Sequence, residues 1–220
     1  DKITVSSCGI DVTHFRPMPR NQAREQLNLP EKDTIVLFVG SLIRRKGVDI
    51  LLSAIARIVA HHSRVKLIVI GEGPLLEQLE AQALDLAIDK IVHFVARKSN
   101  DELPFWYAAA DVFVLPSLRE GTPLALLEAL SCEVPVIVSR AGGMVEVIED
   151  GKNGLLTEIA DPVDLERRLS LLLADSDMRQ RFKEAARDTV VSWADIQVEI
   201  DTLLHLYRNF GAAAKSTNRF

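Results

Sequence analysis

Residues 111–139 have the sequence DVFVLPSLREGTPLALLEALSCEVPVIVS, and this stretch decides the fold class. It opens with an apolar run at 111–116, passes through a polar loop into a helical pattern near 123–132, and closes with a second apolar run at 134–139. Continuous runs of Val, Ile, Leu and Phe are typical of strands covered on both faces. The order strand, helix, strand therefore predicts two parallel strands joined by a right-handed crossover.

The same alternation continues through the rest of the chain. Further strands are predicted at 34–40, 65–71 and 91–95. Further helices are predicted near 47–62, 75–87, 101–110, 143–149, 162–174, 176–190 and 192–210. We therefore predict an α/β fold, a doubly wound, Rossmann-like parallel sheet, in one domain covering residues 1–220. Ligands of such sheets bind beyond the carboxyl ends of the strands, so the loops there are the place to look for a site.

Composition and charge disfavour several classes of protein. The net charge is −5, and the basic stretch at 44–47 is short, so a general nucleic-acid binder is not expected. Cys8 and Cys132 suit neither a disulfide framework nor a metal site, which favours a reducing, cytoplasmic setting. His61 and His62 are adjacent and do not face one site, so no metal is predicted. The chain has no long apolar run and no signal-peptide pattern, and is expected to be soluble.

Two glycine-containing loops follow the first predicted strands. In GSLIRRKG, residues 40–47, Lys46 stands at the entrance to a helix, which suits a phosphate or diphosphate site, although a solvated basic loop would have the same sequence. In GEGP, residues 71–74, a dinucleotide-binding fingerprint would need a third glycine where Leu76 stands. A tight turn is therefore favoured there, with close approach to a ligand as the alternative.

The stretch REGTPLALLEAL, residues 119–130, contains a second candidate anion site. Thr122 is predicted as the N-cap and Pro123 as the first residue of a helix. The free N–H groups of the first turn then belong to Leu124 and Ala125, neither of which has a polar side chain to occupy them. The helix dipole favours an anion at this position.

Two carboxylates flank this helix start. Glu128 is the single polar residue from 124 to 130 in a helix that is expected to be buried on all sides, so it needs either a salt bridge or a ligand hydroxyl. Glu120 precedes the helix and is either a solvated loop acid or a second acceptor for the ligand. Two hydroxyl acceptors around an anion site match a polyhydroxyl ligand that carries a diphosphate, which describes a nucleotide sugar.

With this E-x7-E spacing and the following strand EVPVIVS, the chain resembles the group 1 glycosyltransferases of family 4, which have the GT-B fold. The resemblance is to their C-terminal, donor-binding half and covers nearly the whole chain. It is carried by these blocks, in order: CGIDVTHFRP (8–17), VGSLIRRKG (39–47), IGEGP (70–74), YAAADVFVLPS (107–117), GGMVEVIEDGKNGLL (142–156) and SWADIQVEIDTLLHLY (192–207). The chain departs from the family at Ser41, where Arg is usual, at Ala96, where Gly is usual, and at Thr122-Pro123, where Phe-Gly is usual.

The resemblance implies a role for each candidate residue. Glu120, taken as the catalytic residue, would hold the hydroxyls of the donor sugar, and Glu128 those of the ribose. Lys46 would neutralise the diphosphate together with the first-turn amides, and the loop at 95–98 would border the base. The full set of implied donor-binding residues is Gly40, Arg45, Lys46, Arg97, Gly121, Thr122, Leu124, Ala125 and Glu128.

The resemblance also implies the reaction and its partners. Transfer would retain the anomeric configuration, with a UDP- or GDP-linked sugar as donor, no separate cofactor, and a cation and a helix N-terminus in place of a metal. The first residue is not Met, and we expect an N-terminal acceptor domain outside these 220 residues. It would bind an acceptor sugar or lipid-linked glycan, at the inner membrane face if the full enzyme associates with a membrane. The isolated chain is expected to be inactive.

Two alternatives remain at the level of sequence. A non-catalytic Rossmann-like domain could keep the sheet while its loops serve structure or protein contact. A GT-B fold epimerase acting on nucleotide-linked sugars would need further acids or bases, and this sequence shows no obvious set of them.

Overall fold

The computed structural model describes residues 8–192 and 194–217 of the chain. In these residues, six strands form one sheet: β1 Thr34–Val39, β2 Val65–Ile70, β3 Val92–Val95, β4 Val112–Leu115, β5 Val136–Ser139 and β6 Leu155–Thr157. The helices are α1 Arg20–Gln26, α2 Val48–Ile58, α3 Leu76–Asp85, α4 Leu103–Ala109, α5 Leu124–Ser131, α6 Met144–Val147, α7 Pro162–Ala174, α8 Ser176–Val191 and α9 Ile196–Thr217. In this part of the chain every helix is too short or too polar to be a membrane span.

All strand pairs in the sheet are parallel, and the strand order is β3-β2-β1-β4-β5-β6. This is the doubly wound order, so the predicted fold class is confirmed. The order reverses direction between β1 and β4, which pair with Val36 opposite Val112. The crossovers from these two strands leave in opposite directions, and the loops after β1 and β4 therefore border a crevice, the topological switch point of the sheet.

The apolar runs of the sequence form the core. β4 and β5 are buried along their whole length, as expected for strands with helices on both faces. α2 buries six apolar residues in the same core cluster as the strands, Val48, Leu51, Leu52, Ala54, Ile55 and Ile58. The sheet and helix α2 thus form a rigid support for the loops at the carboxyl edge.

A buried arginine closes the opposite edge of the sheet. Arg24 of α1 is 1% exposed, and its guanidinium donates to Oδ2 of Asp111 at 2.7 Å. It also donates to four backbone carbonyls, those of Ala109, Pro30, Glu31 and Asp33. A buried charge satisfied by a carboxylate and four carbonyls connects α1, the end of α4 and the chain before β1.

Three elements were not predicted from the sequence: β6, α1 and a short 3-10 helix, Arg44–Lys46, in the loop after β1. β6 has only three residues, too few to show a strand pattern. α1 has the sequence RNQAREQ and buries only Ala23 and Arg24, so it lacks the apolar periodicity of a core helix.

The start of the last helix differs from the prediction. The predicted helix at 192–210 begins instead at Ile196, because Ile10 forms a bridge with Asp195. The Ile10 amide donates to Ala194 O at 2.8 Å and the Ile196 amide to Ile10 O at 2.9 Å. The chain is therefore extended at this point, and the segment before α1 fixes where α9 begins.

The start of α5 also corrects the prediction. Thr122 is not the N-cap: Pro123 holds that position with extended backbone (φ −75°, ψ 128°), and no side chain caps the helix. The carbonyl of Pro123 accepts the amides of Leu126 at 3.1 Å and Leu127 at 3.4 Å. Nor is α5 buried on all sides, since Leu124 is 49% exposed.

Candidate functional site

The loops after β1 and β4, residues 40–47 and 116–123, contact each other at the switch point. The Leu118 amide donates to the carbonyl of Arg45 at 2.7 Å. Gly47 has φ 67°, and a Cβ there would lie 2.2 Å from the carbonyl oxygen of Pro116. Only glycine fits this approach, so the glycine at the entrance to α2 sets the distance between the two loops.

Glu120 and Lys46 form the centre of this contact. Lys46 Nζ pairs with Oε1 of Glu120, which also accepts from the Ser117 hydroxyl at 3.0 Å. Arg45 pairs with Oε2 at 3.2 Å. The Glu120 side chain is only 6% exposed and that of Lys46 12%. The alternatives of a solvated loop acid and a solvated basic loop are therefore wrong for Glu120 and Lys46, whereas Arg45 remains half exposed.

The first turn of α5 begins directly after this pair. Within the described residues, the amides of Leu124 and Ala125 donate to no side chain or carbonyl. The predicted free donors are thus present even though the cap residue is Pro123 rather than Thr122. Together with Lys46 and Arg45 they provide positive potential at one place on the sheet edge.

Glu128 lies one turn further along α5 and is 8% exposed. In the described part of the chain no cation forms a salt bridge with it; its partner is Tyr107, whose hydroxyl donates to Oε2 at 2.6 Å. Burial raises the pKa of the Glu128 carboxyl, and the Tyr107 hydrogen bond and the nearby His14 oppose that rise. Glu128 lines a cavity of about 400 Å³ together with His14, Asn100 and Leu124.

A larger cavity of about 810 Å³ lies next to it, beyond β1, β2 and β3. Gly40, Ser41, Gly71 and Arg97 line it, and Asn100 lines both cavities. The predicted residues thus fall into three neighbouring groups. Arg45, Lys46 and Glu120 are in contact, Leu124 and Glu128 line the smaller cavity, and Gly40 and Arg97 line the larger one.

The GEGP loop approaches a neighbouring loop, in addition to bordering this cavity. A Cβ at Gly71 would lie 1.9 Å from Gly40 O, and a Cβ at Gly73 would lie 2.4 Å from Leu42 O. The two glycines are therefore explained by close contact with the loop after β1. A dinucleotide fingerprint is not needed to account for them.

Gly121 and Thr122 lie beside the loop after β5. Gly142 has φ 54°, and a Cβ there would lie 1.7 Å from Glu120 O. A Cβ at Gly143 would lie 2.7 Å from Gly121 O and 3.0 Å from Oγ1 of Thr122. Gly121 itself is exposed and has open space where its side chain would be. Residues 120–122 are thus packed on one side against Gly142 and Gly143, and Gly121 is exposed to the solvent.

Comparison with known proteins adds the family to this geometry. Residues 19–189 match the family model described as glycosyl transferases group 1. The chain belongs to the group 1 glycosyl transferases. The matched segment contains every candidate residue named above from Gly40 to Glu128, so the family assignment and the site concern the same part of the chain.

Several proteins are similar to this group 1 chain over most of its length. The D-inositol 3-phosphate glycosyltransferase of Corynebacterium jeikeium is 33% identical over 229 residues, 99% of this chain and 54% of that protein. The structure of sucrose-phosphate synthase from Thermosynechococcus elongatus aligns with 96% of this chain and 53% of its own, at 30% identity and a TM-score of 0.89. The chain spans about half the length of the curated relatives it matches.

A second structure is of comparable size to this group 1 chain. The C-terminal domain of a glycosyl transferase group 1 family protein, LpcC, from Francisella tularensis aligns over all of its length and 86% of this chain. Its identity is 29% and its TM-score 0.77. These likenesses agree with the resemblance to the GT-B fold that the sequence blocks indicated.

Sequence reasoning about this group 1 chain did not assign roles to Ser117, Tyr107, His14 or Asn100. Ser117 and Tyr107 lie in the block YAAADVFVLPS and His14 lies in CGIDVTHFRP, so the blocks contained these three residues, whereas Asn100 lies outside every block. What the blocks could not supply was the pairing. Tyr107 and Glu128 are 21 residues apart and meet only because α4 and α5 are neighbours.

Proposed function

We propose that this chain binds the nucleotide-sugar donor of a group 1 glycosyl transferase and takes part in transferring the sugar to an acceptor with retention of configuration. The observation that carries the proposal is the position of the Lys46–Glu120 pair and the free α5 amides together at the switch point. Open α/β sheets bind ligands there. Cations and free amides favour a diphosphate, and the adjacent carboxylates favour hydroxyls.

In this proposal the diphosphate lies at the first turn of α5. Lys46 and the amides of Leu124 and Ala125 bind it, and Arg45 adds positive charge from the exposed side. When the bond between the anomeric carbon and the β-phosphate oxygen breaks, negative charge grows on the departing diphosphate. Fixed donors at that place stabilise the charge without reorganising, which is the main electrostatic contribution expected of such a site.

The remaining parts of the donor extend to either side. Glu120 holds hydroxyls of the sugar, Glu128 holds those of the ribose in the smaller cavity, and the base occupies the larger cavity beside Arg97. The volume of about 810 Å³ is ample for a nucleobase. UDP- and GDP-linked sugars are the proposed donors.

The acceptor, a sugar or a lipid-linked glycan, belongs in this proposal to an N-terminal domain outside these residues. Such a domain would close the donor site from above and would bring the full enzyme to the inner face of a membrane where its acceptor is lipid-linked. The 220-residue chain by itself is proposed to bind donor without turning it over.

Thermal-shift measurements on the 220-residue chain test the proposal. UDP, GDP and ADP and their common sugar conjugates are compared at millimolar concentration, because a ligand at 100 times its Kd stabilises the folded state by about 2.7 kcal/mol. We expect one base to raise Tm above the others, and Lys46→Ala to abolish the rise. Lys152→Ala, which removes a lysine whose pair with Glu149 is largely exposed, is the matched control. Equal Tm values across the whole panel would favour a non-catalytic domain instead.

A further inference from the structure

Tyr107 joins two neighbouring crossover helices at the smaller cavity. It belongs to α4, which leads from β3 to β4, while its acceptor Glu128 belongs to α5, which leads from β4 to β5. The tyrosine is 0% exposed, so its hydroxyl cannot exchange this bond for one to water. Burial also raises the pKa of Tyr107 well above its usual range, so the hydroxyl keeps its proton and remains a donor.

The ring of Tyr107 is held independently of its hydroxyl. Phe15 packs against it edge-on with ring centroids 6.1 Å apart, and Phe113 of β4 does so at 5.7 Å. Such aromatic contacts fix the position of the ring. A phenylalanine would make the same ring contacts, so the hydroxyl contributes something that packing does not, its hydrogen bond to Glu128.

That hydrogen bond concerns the two oxygens of Glu128. Oε2 accepts from Tyr107, whereas Oε1 accepts no hydrogen bond from any residue that the structure describes. Burial disfavours the carboxylate form, and a donor to one oxygen restores part of the loss. Glu128 thus has one oxygen that is held by Tyr107 and one that accepts no hydrogen bond from the described residues, and the residue lines a cavity.

Several other titratable or charged groups lie near Glu128, on the elements that pack around it. His14 and Asp11 lie on the segment before α1, and Asp101 on the loop after β3. Cys132 lies directly after α5, and Arg187 of α8 donates to the carbonyl of Ser131, the last residue of α5. In the described residues only Tyr107 has a hydrogen bond to the Glu128 carboxylate.

We propose that Tyr107 is a positioning residue for the donor: by holding Oε2 of Glu128, it leaves Oε1 as the single oxygen directed to the ribose hydroxyls. This inference rests on the proposed function and adds to it the group that orients the ribose acceptor. Tyr107 does not touch the donor; it acts through Glu128.

The pH dependence of nucleotide affinity tests the inference, with UDP and GDP as probes. Tyr107→Phe keeps the ring between Phe15 and Phe113 and removes only the hydroxyl. Without this donor the pKa of Glu128 rises further, so the loss of affinity on acidification begins at a higher pH than in the unmodified chain. At pH 8 we expect affinity to fall about fivefold, the effect of one lost hydrogen bond.

Tyr207→Phe is the matched control. The chain has two tyrosines, and Tyr207 on α9 is 73% exposed, so the same chemical change there leaves affinity and pH profile unaltered. Tyr107→Phe with the same affinity and the same acid limb as Tyr207→Phe would overturn the inference while leaving the proposed function in place. If the unmodified chain binds neither probe, the proposed function fails first.

A second measurement does not depend on the folding of Tyr107→Phe. Incorporating 3-fluorotyrosine into the Tyr207→Phe chain alters Tyr107 alone and makes its phenol a stronger donor. The stronger bond lowers the pKa of Glu128, so the acid limb of nucleotide binding moves to lower pH, opposite to the effect of Tyr107→Phe. An acid limb that stays in place contradicts the inference.

Discussion

Lys46 and Glu120 pair with each other across the two loops that leave β1 and β4. Both side chains are largely buried, and Arg45 adds a second cation to the same carboxylate. The group proposed for the diphosphate, Lys46, is therefore paired with the group proposed for the sugar, Glu120. A diphosphate has to compete with Glu120 for Lys46, whereas a full nucleotide sugar supplies hydroxyls to Glu120 in return.

Glu120→Gln is expected to separate these two ligands. Removing the negative charge frees Lys46 and Arg45, so the affinity for the nucleoside diphosphate alone rises at least about two- to fivefold, which is the scale of an exposed ion pair and a lower bound for this largely buried one. The preference for the sugar-bearing nucleotide falls, because its hydroxyls lose a charged acceptor. Isothermal titration with both ligands measures the two changes. Glu149→Gln, at the exposed pair with Lys152, should alter neither; unchanged selectivity in Glu120→Gln contradicts its role at the sugar.

Glu128→Gln is expected to lose nucleotide affinity without losing the fold. The folded-state pKa of Glu128 is raised above its ordinary value of 4.5 by burial, so the folded chain binds more protons than the unfolded chain between these two values. The free energy of unfolding contributed by this group therefore falls as pH rises through that window. Glutamine has no such cost and can still accept from Tyr107.

We thus expect the Tm of Glu128→Gln to equal or exceed that of the unmodified chain at pH 8, with a smaller advantage at pH 5. Affinity for the nucleoside diphosphate should fall at least about tenfold, since a charged acceptor is lost. Melting curves across this pH range and a titration at pH 8 provide both measurements. Unfolding of the variant would instead assign Glu128 a structural role.

Gly142→Ala is expected to displace the backbone of Glu120, which packs against Gly142. The added Cβ would meet the Glu120 carbonyl at 1.7 Å, and φ is 54°, so both the contact and the backbone conformation disfavour alanine. We expect a loss of more than about 3 kcal/mol in unfolding free energy. Gly151→Ala is the matched control: it has φ 82° but open space, and should cost only about 1–2 kcal/mol. Equal costs in urea denaturation would show that the loops do not touch as described.

Arg24→Lys is expected to destabilise the edge of the sheet away from the site. Lysine cannot reproduce the five hydrogen bonds of the buried guanidinium, so several carbonyls lose their donor and Asp111 keeps only Arg20 and the Ile35 amide. The expected loss is about 3 kcal/mol or more. Arg20→Lys, at a half-exposed arginine paired with the same aspartate, should cost less than about 1 kcal/mol. A shift in the urea midpoint at constant m-value checks the difference.

The sequence predicted the strands wherever a continuous apolar run was long enough to be recognised. Five of the six described strands and the helices that connect them follow from such runs, because burial on both faces requires them. The misses are elements stabilised by other means. α1 is held by Arg24 and its carbonyls, β6 is three residues long, and the start of α9 is fixed by a bridge to Ile10.

The candidate site was predicted to a similar depth. The motifs singled out Lys46 and Glu120 separately, and the structure shows that they are in contact, while their roles at a donor stay predictions. The motifs also indicated that Glu128 needs a partner. The motifs did not identify Tyr107 as the partner of Glu128. The two residues lie on different helices, α4 and α5, and meet only because these helices pack together. Nor did the motifs locate the N-cap of α5, since a Thr-Pro pair leaves two neighbouring positions for the cap and the extended backbone of Pro123 decides between them.

The glycine contacts at the carboxyl edge have a consequence for divergence within the family. Gly47 rests on Pro116, Gly73 on Leu42 and Gly142 on Glu120, each at a distance that admits no Cβ. Loops joined in this way leave little room for insertions or deletions next to the contacts. If the chain binds the proposed donor, changes in donor preference are easier to reach by exchanging the exposed side chains Ser41, Arg97 and Leu124, and a library at these positions is the natural way to redirect that preference.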